Sequence, residues 1–124
     1  MRVDEVRHAM LELHRRMIDA QRIQYERLHG RIATTNEFLG LVLEHPEFEW
    51  IRALSALVAQ LDEWRENEEA NAADEEDFEA ILETLRRLVQ RNGPNTQFAA
   101  RYWEMIDSTP EVLIEHVKLT RILG

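Results

Sequence analysis

Two Glu-x-x-His pairs are the first residues whose spacing could do chemistry: Glu26 with His29 in "YERLHG" (25 to 30), and Glu5 with His8 near the start. Residues three apart share a helix face, and a di-metal four-helix bundle uses this spacing to present a carboxylate and an imidazole from each of two helices. Here both pairs fall in one helical stretch. His8 and His29 are 21 positions apart, roughly 31 Å along the helix axis, too far to share an ion within one chain. Glu5, His8 and Glu12 also lie nearly opposite the Val6, Met10, Leu13, Met17 stripe, toward water. His29 occupies the last turn before Gly30, where an imidazolium is favoured by the helix dipole. "YERLHG" therefore reads as a helix end rather than a metal site.

Two further histidines lie closer to apolar faces. His14 sits beside Met10 and Ile18, and His116 among Val112, Leu113, Val117 and Leu119. A histidine in such a place is ordinarily hydrogen-bonded to a carbonyl or carboxylate. The alternative is a metal- or small-ligand-binding bundle that uses His14, His116 and a nearby carboxylate, which requires the first and last helices to bring them together. No cofactor is implied by any motif. The chain contains no cysteine, which removes thiolate metal sites, disulfides and a cysteine nucleophile. It has no phosphate-cradling glycine loop, and Ser55 lies mid-helix in "RALSALV" rather than in a nucleophile elbow. Enzyme chemistry thus has no identifiable foothold.

The formal charge of -9 has a definite location: residues 62 to 79 hold ten acids and one arginine, and the remainder is balanced. Within it, Glu68, Glu69, Asp74, Glu75 and Glu76 are candidates for contact with a basic protein partner. The simpler reading is a solvated linker over about residues 66 to 77, its last acids favoured by the dipole at a helix N-terminus. The spaced oxygen ligands and central glycine of an EF-hand loop are missing. Nucleic-acid binding through a basic surface is argued against by the balanced remainder, although the acidic stretch could mimic nucleic acid toward a basic partner. Trp103 falls off the Phe98/Tyr102 stripe and is the aromatic residue expected to be exposed at a contact. Trp50, Trp64 and Trp103 with Phe48 and Tyr102 could line a ligand pocket, but aromatics at helical spacing are more often core.

These residues are positioned by helices. Glycine and proline are scarce and stand between apolar-periodic stretches, so the expected fold is all-α, a single-domain bundle of five to six helices spanning residues 1 to 124. The first helix runs from about Val3 to His29 and stops at Gly30. Thr34 and Glu37 form a capping box for the second, Pro46 opens a long third helix through Trp64, and Asp74 caps the fourth. "RNGPN" (91 to 95) ends the fourth, a fifth carries Phe98, Tyr102 and Met105, and "STPE" (108 to 111) opens the last.

A first helix of about 27 residues spans roughly 40 Å, against about 27 Å for an 18-residue neighbour. One end should overhang, and its apolar face then needs cover. A homodimer with this helix in its interface is the expectation. The longest apolar run, "FLGLVL" (38 to 43), is far short of the roughly 20 residues of a membrane span. The acids in "MRVDEVRHAM" are unlike a signal peptide. A cytoplasmic location is expected, and Lys118 as the single lysine beside many arginines points to a GC-rich bacterial genome.

"MIDAQRIQYERLHGRI" (17 to 32) followed by "EHPEFEWIRALSALVAQLDEW" (44 to 64) resembles a group of small, uncharacterised bacterial all-helical proteins that share a Tyr-Glu-x-x-His-Gly turn and a His-Pro-x-Phe-x-Trp junction. The resemblance covers about the first half of the chain. It implies a bacterial source and a stand-alone helical domain, and brings no activity, cofactor or catalytic residue with it. The reading it leaves in place is a non-catalytic protein-interaction or regulatory module.

Overall fold

A computed structural model describes residues 2–69 and 73–124. Among these residues the chain forms seven helices and no strands: α1 (Arg2–His29), α2 (Thr35–Glu44), α3 (Pro46–Glu49), α4 (Arg52–Glu69), α5 (Glu75–Leu88), α6 (Thr96–Ser108) and α7 (Pro110–Leu123). The all-α class and the long first helix are as the periodicity predicts.

The count exceeds five to six because the expected third helix is broken. Residues 50 and 51 form a turn, with i to i−3 bonds from Ile51 N–H to the Phe48 carbonyl (3.2 Å) and from Leu54 N–H to the Ile51 carbonyl (3.0 Å). Trp50 and Ile51 are both buried. Adjacent residues of a continuous helix point about 100° apart, so the turn lets both side chains enter the core.

Local chemistry sets the boundaries. α1 carries Asp4 and Glu5 in its first turn and Arg27 and His29 in its last, the polarity that the dipole favours. It ends where Gly30 adopts φ +89° and donates its N–H to the Glu26 carbonyl at 2.9 Å, a left-handed conformation open to glycine. At α2 the Thr34 hydroxyl accepts from Glu37 N–H (3.1 Å). The return bond of the capping box goes to Ala33 N–H (3.2 Å), one residue before the cap. Asp74 accepts from Glu76 N–H (2.9 Å) to start α5, and Asn95 from Phe98 N–H (3.1 Å) to start α6. In the turn between them, a Cβ on Gly93 would collide with the Arg87 carbonyl oxygen, so glycine is what lets the chain fold back there.

α1 is the centre of the packing, lying against α7 and α4; α5 packs on α4, α6 on α7, and α2 rests chiefly on α3. Val3, Val6, Met10, Leu13, Met17 and Ala20 supply its buried stripe, facing Leu54, Leu57 and Leu61 of α4 and Val112 and Leu119 of α7 in one continuous core. Burial of each such Leu or Met is worth about 1.5–3 kcal/mol, which is why this face governs the arrangement.

The linker expected over about 66 to 77 is shorter. α4 runs on through Glu66, Glu68 and Glu69, and α5 begins at Glu75. Residues 70 to 72 of that expectation lie outside the described residues. The Trp64 indole N–H donates to the Asp74 carbonyl at 2.8 Å, fastening the far end of the connection to α4.

Candidate functional site

The sequence-level candidates separate into distinct places. Glu5 and His8 are exposed, as their helical phase implies. Glu26 and His29 serve the helix end: a Glu26 oxygen accepts from Ile32 N–H at 2.9 Å, while His29 Nε2 lies 2.7 Å from Glu47 in α3. Among the described residues, no group of three or more His, Asp or Glu side chains is arranged to hold a metal ion.

His14 and His116 are held by different helices. His14 Nε2 lies 2.9 Å from the Ser55 hydroxyl of α4. His116 Nδ1 lies 2.7 Å from the Tyr102 hydroxyl of α6. Tyr102 is fully buried and has no other acceptor among the described residues, so its O–H donates and Nδ1 accepts. The neutral ring then keeps its proton on Nε2. Burial pushes both histidines below their ordinary pKa and pushes the Tyr102 phenol up, which favours the neutral forms this arrangement needs.

The structure brings together His116 and Trp103, a pair that no sequence pattern connected. Their rings meet edge to face at 4.9 Å, and the Arg91 guanidinium lies 4.4 Å above Trp103. Trp103, expected to be exposed at a contact, is half-buried. With Arg86, Gln90 and Thr120 these two residues line a surface hollow of about 310 Å³. Arg86 closes one side by donating to the Leu123 carbonyl at 2.9 Å.

The acidic candidates have local roles. Asp74 caps α5, and Glu75 and Glu76 occupy its first turn. Glu68 and Glu69 end α4. Part of the charge around them is neutralised by α1 through Arg7 with Asp62 and Arg2 with Glu79, while Arg65 reaches back to Asp4. Such half-exposed pairs are each worth about 0–1 kcal/mol; their use is to tie the start of α1 to α4 and α5.

The largest departure from a closed bundle is at the other end of α1. Met17, Gln21, Gln24 and Leu28 continue the inward stripe at helical spacing, yet Leu28 is 74 % exposed. α2, which meets α1 through Arg22 and Phe38, has the sequence TNEFLGLVLE and buries no residue at all. Phe38, Leu41 and Val42 are half-buried, with the Arg22 guanidinium 4.5 Å from the Phe38 ring. Leu39 and Leu43, one turn apart on the outer ridge, are 54 % and 61 % exposed, and Ile23 of α1 is 53 % exposed. The same stretch of chain carries the exposed bases Arg27 and Arg31 and the exposed acids Glu37 and Glu44.

Sequence reading also missed a buried polar pair at this end. The Trp50 indole N–H donates to Gln21 Oε1 at 3.1 Å, and Gln21 Nε2 is buried with no partner among the described residues. The available signal was a glutamine at a stripe position four residues after Met17. Comparison of the chain with protein-family models, with curated proteins and with solved structures gives no match.

Proposed function

We propose that this chain is a non-catalytic interaction module that works as a homodimer, with the end of α1 and the outer ridge of α2 as its self-association surface. One observation carries the reading: an apolar helix, α2, that buries none of its own residues and meets α1 through Arg22 and Phe38. Scattered exposed leucines are ordinary, but apolar residues gathered at one end and rimmed by charge mark a contact.

The occupant that fits is a second copy. The same stretch of chain carries two exposed bases and two exposed acids, so a two-fold contact can oppose unlike charges without a complementary stranger. Each copy contributes Ile23, Leu39 and Leu43. Paired across the axis, these make the apolar centre around which a standard interface of about 1,600 Å² is completed by a polar rim.

The absence of native cysteine makes the test direct. Leu43→Cys is expected to form a disulfide-linked dimer under mild oxidation, whereas Glu66→Cys, on the exposed acidic part of α4, is not. Equal crosslinking at both positions would overturn the assignment of the surface.

A further inference from the structure

A cleft of about 250 Å³ opens beneath the overhanging end of α1, between α3 and α6, and Gln21 and Trp50 form its floor. Gln21 is only 1 % exposed. Its Oε1 must face Trp50, because the indole nitrogen only donates. That leaves the two N–H groups of Nε2 without an acceptor among the described residues, and an unpaired buried donor costs about 1–3 kcal/mol.

The walls supply charges of both signs. Arg101 and Glu104 come from α6, and Glu47, already paired with His29 at 2.7 Å, from α3, with Leu28 and Met105 as the apolar side. The Arg101 guanidinium lies 5.8 Å from the Trp50 ring, over the same floor. Glu104 has no ion-pair partner among the described residues. The volume equals the share of about eight waters at roughly 30 Å³ each, below the about 300–1,000 Å³ of sites for drug-sized ligands.

We infer that this cleft binds a small apolar α-amino acid. Its carboxylate accepts from Gln21 Nε2 and Arg101, its ammonium group faces Glu104, and its side chain lies against Leu28 and Met105. A simple acid would leave the Glu104 carboxylate unmatched. A simple amine would leave Gln21 and Arg101 unmatched. The zwitterion meets both, and the site stands independently of the proposed dimer.

The experiment is titration of the ¹⁵N-labelled full chain with L-alanine, L-valine and L-leucine, following the Trp50 indole and Gln21 side-chain amide signals. Isoamylamine, which lacks the carboxylate, and N-acetyl-L-leucine, which lacks the ammonium group, are the comparison probes. At least one amino acid is expected to shift both signals saturably in the millimolar range or below. Each comparison probe should bind at least about tenfold more weakly, the loss of one charged contact. Arg101→Ala, a change at an exposed residue, should abolish the response while leaving the spectrum folded. The inference is overturned by no saturable shift with any of the three amino acids, by equal or tighter binding of either comparison probe, or by an unchanged response in Arg101→Ala.

Discussion

The two halves of α1 carry one apolar stripe and meet different surroundings. From Val3 to Gln21 the stripe lies within the core formed with α4 and α7, whereas farther along the same face Leu28 stands largely in solvent. Helical phase decides which face a residue occupies; whether that face is covered depends on how far the neighbouring helices extend. α4, at 18 residues against 28 for α1, is too short to follow it to its end. The short α2 and α3 stand at that end and bring apolar surface of their own, since Leu39 and Leu43 point outward. The closed half accounts for stability, and the open half carries the proposed self-association surface.

That division predicts a graded response to substitution. Leu13→Ala, in the closed half, should lose about 2–5 kcal/mol of unfolding free energy in urea denaturation, as truncation in a packed core does. Tyr102→Phe removes the donor to His116 Nδ1 and should cost about 1–3 kcal/mol, measured in the same way. A smaller loss there would mean that solvent reaches the α6–α7 contact. Leu28→Ala, on the same stripe as Leu13, should change monomer stability by less than about 0.5 kcal/mol at low protein concentration. A loss comparable to that of Leu13→Ala would erase the distinction between the halves.

Acidity offers a further probe of the closed half. His14 and His116 are both held below their ordinary pKa by burial. The unfolded chain, with histidine near about 6.5, therefore takes up protons before the folded one does. Stability should fall as pH drops below about 6.5 and should go on falling until the folded histidines protonate. Thermal melts across this window should show the slope, and His116→Gln should flatten it. An unchanged slope in that variant would place the pH dependence elsewhere.

Much of the architecture was legible because it is local. The α1 stripe, Gly30, Thr34, Asp74 and Pro110 mark helices and their ends through periodicity, backbone conformation and capping, all of which act within a few residues. The break at Trp50 and Ile51 was not, because it follows from two adjacent side chains competing for the same core, a tertiary requirement. Trp103 was read as exposed for a related reason. Its phase on α6 does point away from Tyr102, but α7 supplies His116 to meet it. Gln21 left a trace as a polar residue in an apolar stripe; that its oxygen serves Trp50 and its nitrogen serves nothing among the described residues depends on how α1 and the residue after α3 come together. The uncovered face of α2 was hidden for the opposite reason, since apolar periodicity looks the same whether or not a neighbour is there.

The central claim is that the open half of the molecule is closed by a second copy. Sedimentation velocity over a wide range of protein concentration, on the natural chain and on the Leu39→Glu, Leu43→Glu double variant, tests it most directly. The account predicts that the natural chain moves toward twice the monomer mass as concentration rises, while the variant stays monomeric with unchanged helical circular dichroism. A natural chain that remains monomeric throughout, or a variant that dimerises equally well, would contradict it.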